Sequence, residues 1–186
     1  MENKKVFLIH GLKSAPNAHW FPWIMSELKK HDVWACSLAM PKVDNPIFEE
    51  WMNEIIRQID ANRENEIYLV GHSLGGATVL NYLQDKRANP IAGAVVVSTM
   101  IEKSNSKKVE RFYESFDFEK MKANFKDVAI IHGDNDDWID VKNAYALGEH
   151  FNVEPIIIPN GGHLNGSAGF RELPQALDAL LEMMNK

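Results

Sequence analysis

Apolar positions along the chain fall into short, fully apolar runs separated by longer amphipathic stretches. Val6-Phe7-Leu8-Ile9, Ile67-Tyr68-Leu69-Val70 and Val128-Ala129-Ile130-Ile131 offer apolar side chains to both sides of an extended backbone. That is the pattern of parallel strands covered on both faces. Val33 to Leu38, Ile91 to Val97 and Val153 to Ile158 predict three more strands. Between them, Phe48, Trp51, Ile55, Ile56 and Ile59 recur at helical spacing, with Glu49, Glu50, Glu54, Arg57 and Asp60 in the gaps, as in a helix lying on a sheet. Further helices are predicted at Ile24 to Lys30, from Gly76 to about Gln84, after Trp138 to about Phe151, and over Leu173 to Met184, where Pro174 marks the start. Alternating strands and helices predict an α/β protein: a three-layer sandwich, with a six-stranded parallel sheet and helices on both faces joined by right-handed crossovers.

Between Ser98 and Lys126 the pattern weakens. A polar stretch from Glu102 to Lys108 precedes the aromatic cluster Phe112, Tyr113, Phe116 and Phe118. This segment leaves the C-terminal end of a strand, where parallel sheets carry their sites, so residues 99–126 are a candidate partial lid. No other stretch has the look of a cap or a linker, and residues 1–186 read as a single domain.

Chemistry gathers at the strand ends. Gly71-His72-Ser73-Leu74-Gly75 stands between a clear strand and a clear helix. A glycine two places to either side of a serine permits a strand-to-helix turn sharp enough to expose the hydroxyl, the G-x-S-x-G nucleophile elbow. The free N–H groups of the helix N-terminus favour negative charge beside it. A serine becomes a useful nucleophile only when a base takes its proton and a third group orients that base. In chain order after Ser73 come an acidic turn, Asp134 to Asp137, and then His163 behind two glycines, each at the end of a successive strand. Serine, acid, histidine is the order an α/β-hydrolase sheet uses. The oxyanion would take one backbone N–H from Leu74 and a second from the loop after the first strand, near Leu12.

Composition narrows the alternatives. Of 186 residues, 45% are hydrophobic and 25% charged, and the net charge of −6 argues against a nucleic-acid or anionic-membrane surface. Cys36 is the only cysteine, which excludes an intramolecular disulfide and suits a reduced compartment. With neither a signal-peptide pattern nor a membrane span at the start, the expected location is cytoplasmic. No G-x-x-x-x-G-K loop or G-x-G-x-x-G fingerprint occurs, so no nucleotide cofactor is expected. A metal hydrolase built on His10, His72, His132 and Asp134 lacks H-x-x-x-H or H-E-x-x-H spacing, and no metal is expected either.

The chain resembles the small serine hydrolases of the α/β-hydrolase superfamily related to retinoblastoma-binding protein 9, and among them the bacterial YdeN-type proteins. The resemblance rests on Ile9-His10-Gly11, His19-Trp20-Phe21-Pro22-Trp23, Met40-Pro41, the Ser73 elbow, the Asp136-Asp137 turn and Gly161-Gly162-His163. It implies a compact hydrolase core without a large cap, strand order 2-1-3-4-5-6, and a Ser73-Asp136-His163 triad. In relatives the acid stands three residues after the small residue that ends its strand, which from Gly133 gives Asp136. The sequence departs from the family in having Trp138 where a proline is common after the Asp pair. Expected activity is hydrolysis of a small carboxylic ester through an acyl-serine, with an amidase or peptidase on the same triad, or a protein-binding module on a hydrolase scaffold, as alternatives. His10, Trp20 and Trp138 are candidate pocket residues, although three aromatics so close together as Trp20, Phe21 and Trp23 equally suit a hydrophobic plug.

Overall fold

The computed structural model describes residues 3–186. Its six strands, β1 (Lys4–Ile9), β2 (Trp34–Ser37), β3 (Glu66–His72), β4 (Ile91–Val97), β5 (Phe125–Gly133) and β6 (Ile156–Ile158), form one parallel sheet in the order β2-β1-β3-β4-β5-β6. Six α-helices accompany it: α1 (Phe21–Lys30), α2 (Phe48–Asp60), α3 (Leu74–Gln84), α4 (Phe118–Lys122), α5 (Lys142–Phe151) and α6 (Pro174–Met184).

Side chains sort onto the two faces with a period of two, as a pleated strand requires. Phe7 and Ile9 of β1, with Ile67 and Leu69 of β3, join one core beneath α2, α3 and α5, while Val6, Leu8, Tyr68 and Val70 join the other beneath α1 and α6. The strands are apolar throughout because both faces are covered. On α2, Trp51, Met52, Ile55 and Ile59 are fully buried; each such side chain contributes about 1.5–3 kcal/mol relative to exposure, which is why the helix holds its apolar spacing over the whole length.

Topology also fixes where the loops meet. The step from β1 to β2 runs one way across the sheet, and every later step runs the other way. A constant right-handed crossover therefore puts α1 on one face and the connections from α2 to α5 on the opposite face, as observed. The reversal lies between β1 and β3, and the crevice at their C-terminal ends is where an open parallel sheet binds ligands.

Several boundaries differ from those predicted by the sequence. β6 begins at Ile156 rather than Val153, because Asn152 turns left-handed (φ 56°) and the Val153 N–H closes α5 on the Gly148 carbonyl at 3.0 Å; Pro155 then has no N–H to give a ladder. β5 starts three residues earlier than the Val128 run, at Phe125, through pairing with Ile91. α1 starts at Phe21, with Pro22 in its first turn. Within residues 99–126 a 3-10 turn (Glu110–Tyr113) and α4 are anchored on the core: Phe112 packs edge-on against Phe48 and Trp51, and Asn81 and Gln84 of α3 donate to the Phe112 and Ser115 carbonyls. No helix among the described residues is long and apolar enough to cross a membrane.

Candidate active site

Ser73 sits between β3 and α3 with φ 57° and ψ −120°, a conformation disfavoured for any residue with a Cβ and held here by its surroundings. Its N–H donates to the Val97 carbonyl at 2.9 Å, and its carbonyl accepts from Gly76. The turn is this tight because Gly75 passes the end of β1: a Cβ on Gly75 would lie 2.0 Å from the Ile9 carbonyl oxygen. Gly11 brings the loop after β1 equally close, since a Cβ there would lie 3.1 Å from Ser73 Cβ. Neither the Leu12 nor the Leu74 N–H donates to another protein group among the described residues, so both stay available to a ligand.

The acidic turn after β5 and the loop after β6 are stitched together residue by residue. Asp134 Oδ1 accepts from the Asn160 N–H and Asn135 Oδ1 from the Gly162 N–H, both at 2.7 Å, and Asp136 Oδ2 accepts from His163 Nδ1 at 2.6 Å. The other oxygen of Asp136 takes the N–H groups of Trp138 and Ile139 at 2.9 and 3.1 Å. Burial works against ionisation of this carboxyl, but the His163 hydrogen bond and charge, with those two N–H groups, hold it below the ordinary carboxylate range. With Asp136 accepting at Nδ1, the His163 tautomer that serves a base is available, its Nε2 bare. Of the four acids in this stretch only Asp136 is brought to a histidine. Asp140 instead receives the Lys142 N–H at the start of α5.

Three ring side chains hold the backbone around His163. His72 Nε2–H donates to the His163 carbonyl at 2.9 Å, the Trp20 indole N–H donates to the Leu164 carbonyl at 2.9 Å, and His19 Nδ1 accepts the Gly166 N–H at 3.0 Å. His72 is buried and neutral: burial first, then the proximity of His163, pushes it down to about 3. The His163 ring also meets Trp138, whose ring centre lies 4.8 Å away and which is 73% exposed. No hydrogen bond among the described residues reaches Ser73 Oγ.

His10 and Trp20 are candidate pocket residues by sequence. Both are wholly buried. His10 turns Nδ1 onto the Gly11 carbonyl and packs against Trp51, while Trp20 packs on Phe21 and His72 as a plug. Trp138 alone of the three presents surface. His10, His72, His132 and Asp134 do not converge, and no group of three or more His, Cys, Asp or Glu with metal-holding geometry occurs among the described residues. The roles of His19 and His72 were not legible in the sequence, because they depend on contacts with a loop far along the chain. The only signal was position, since both lie within the motifs that carry the resemblance.

The family model for serine hydrolases matches residues 6–182, nearly the full length of this fold. The chain belongs to the serine hydrolase family. YdeN of Bacillus subtilis (strain 168) is 28% identical over 186 residues, spanning 98% of this chain and 97% of that protein. The crystal structure of the ydeN gene product from B. subtilis superposes with a TM-score of 0.91, covering 98% of this chain and all of that one. Est1E from Butyrivibrio proteoclasticus, 16% identical, shares the fold with a TM-score of 0.76, covering the whole of this chain and 90% of its own. This member of the serine hydrolase family is thus a YdeN-type α/β hydrolase.

Proposed function

We propose that the protein hydrolyses small carboxylic esters through an acyl-serine, with Ser73 as nucleophile, His163 as base and Asp136 as the acid that orients it. One observation carries the reading: Asp136 and His163 pair at 2.6 Å, and His72, next to the serine held at φ 57° on its elbow, bonds the His163 carbonyl at 2.9 Å. His163 Nε2 takes the Ser73 proton as Oγ attacks the ester carbonyl. The tetrahedral oxyanion is held by the Leu12 and Leu74 N–H groups. The imidazolium then gives its proton to the departing alcohol, leaving the acyl-serine. A water deprotonated by His163 attacks that acyl carbonyl, and the proton returns to Ser73 as the carboxylic acid leaves. Asp136 stabilises the imidazolium in both halves. That no hydrogen bond reaches Ser73 Oγ is compatible with this cycle, since such contacts tighten when substrate binds. Trp138, exposed against the base, forms one wall for the leaving group.

The anchoring of residues 99–126 on α3 favours a short or modest acyl group, with no large lid to enclose a long one. Cys36, half-buried and with its thiol pushed up by burial, fits a cytoplasmic setting. A fluorophosphonate probe tests the central claim. It should label the wild type and not Ser73→Ala, whose turnover of p-nitrophenyl acetate should fall about a thousandfold or more. A cleanly purified Ser73→Ala enzyme at near wild-type rate would end the acyl-serine reading. The same esters graded in acyl length, run beside aminoacyl anilides, rank ester against amide substrates.

A further inference from the structure

The loop after β1, which carries Gly11 and Leu12, has few ties of its own. Lys13 N–H reaches the Val43 carbonyl at 2.9 Å, Ala18 N–H reaches the Ala15 carbonyl at 3.1 Å, and two side-chain bonds join His10 Nδ1 to the Gly11 carbonyl at 2.9 Å and Ser14 Oγ to His19 Nε2 at 3.2 Å. The direction of that last bond is determined. A backbone N–H can only donate, so the Gly166 N–H at 3.0 Å makes His19 Nδ1 the acceptor; Nε2 then carries the hydrogen and Ser14 Oγ accepts it. His19 is thereby bonded at one end to the loop that ends two residues after Leu12, and at the other to the loop three residues after His163. The residue itself is held at φ 58°, in the left-handed region where few side chains settle without compensation.

We infer that His19 is a positioning residue for the reaction, a neutral imidazole strut that sets the distance between the oxyanion-binding loop at Leu12 and the base loop at His163. The inference rests on the acyl-serine reading above. Its chemistry is specific: the strut needs an acceptor facing Gly166 and a donor facing Ser14 on one rigid ring. A strut of this kind sets the place of the Leu12 N–H relative to the oxyanion, which forms only in the transition state. Its loss therefore lowers kcat and leaves KM nearly unchanged.

Substitutions separate the two ends. Asn at position 19 tolerates the left-handed backbone and presents Oδ1 where His presents Nδ1, so His19→Asn keeps the Gly166 bond and loses the Ser14 bond. Ser14→Ala loses that same bond from the other side. With p-nitrophenyl acetate, each should lower kcat about tenfold with KM within about twofold, as a small misplacement of a transition-state donor does. The double variant should be no slower than either single, because both delete one link. His19→Gly, relaxed in its backbone but lacking both links, should fall about a hundredfold. Circular dichroism and melting establish that each variant is folded, and Ser14→Ala, which removes only a half-buried hydroxyl, keeps the test decisive should His19→Gly fail to fold. Wild-type kcat in folded Ser14→Ala and His19→Asn, or losses that multiply in the double variant, would overturn the inference. Failure of the underlying reading shows elsewhere, in a Ser73→Ala protein that still turns over or still takes the fluorophosphonate.

Discussion

Two loops flank Ser73, and they are held in opposite ways. The loop carrying His163 is bonded at Asn160, Gly162, His163, Leu164 and Gly166 by side chains of the β5 turn, the elbow and the Trp20 region. Gly11 and Leu12 belong to a loop with a close approach to Ser73 and far fewer ties. On the proposed mechanism the difference follows from what each must do. An imidazole that shuttles a proton in two directions needs a fixed ring plane and tautomer, which hydrogen bonds to its ring and loop supply. An oxyanion donor is a backbone N–H, so its loop need only be set at the right distance. Many ties on one side and few on the other predict unequal responses to mutation.

The largest response belongs to Asp136. Asp136→Asn is nearly isosteric and keeps an oxygen for the Trp138 and Ile139 N–H groups, so the turn should fold. An amide facing His163 Nδ1 favours the wrong tautomer, and kcat should fall about 10⁴-fold. Asp137→Asn and Asp140→Asn should stay within about tenfold of the wild type. Steady-state kinetics on the three purified variants decide this. A dead Asp137→Asn beside a live Asp136→Asn would move the acid by one residue.

Much of this arrangement was readable in advance. Strand runs covered on both faces announce themselves by lacking polar residues, as at Val6 to Ile9, and the elbow needs glycines at fixed places on either side of Ser73. β6 was less legible, because Val153 has the apolar character of a strand and is taken instead to close α5 behind a left-handed Asn152. A histidine before a glycine at a strand end is more often structural than poised to reach a ligand, and His10 satisfies its Nδ1 on the next carbonyl and packs its ring on Trp51. The stitching of residues 134 to 136 onto residues 160 to 163 has no periodicity at all; Asp and Asn are common in any turn, and only the fold pairs one turn with another.

The second response concerns acid. Burial holds His72 neutral down to about 3 and lowers His10 and His132 in the same direction. Below the ordinary imidazole value of 6.5, the unfolded chain takes up protons at these residues that the folded chain refuses. Stability contributed by the neutral rings is therefore fully present above pH 6.5 and is lost progressively as pH falls, until the folded-state value is reached. Asp136, depressed in the fold, has the same sign at lower pH. For His72 alone, the loss between pH 6.5 and 4 is about 3 kcal/mol. His72→Gln, whose amide can still donate to the His163 carbonyl, should lose about 2–3 kcal/mol less than the wild type between pH 7 and 4 by urea unfolding. Equal losses would mean that His72 is not a source of acid sensitivity.

The smallest response tests the redundancy itself. Asp134 is exposed, and its bond to the Asn160 N–H is one of several that hold the same loop. Asp134→Ala removes a charge-assisted bond at a site open to water, where the freed N–H is rehydrated, so the cost should be about 1 kcal/mol by urea unfolding. If the loop were held there alone, its displacement would carry His163 away from Asp136 and kcat would fall with it. With Gly162, His163, Leu164 and Gly166 still bonded from three directions, kcat should stay within about tenfold of the wild type. Asp137→Ala, next along the turn and exposed, should change stability by less than about 0.5 kcal/mol. A hundredfold loss of kcat in a fully folded Asp134→Ala would show that the ties act in series rather than in parallel, and that the base loop is no better secured than the oxyanion loop beside it.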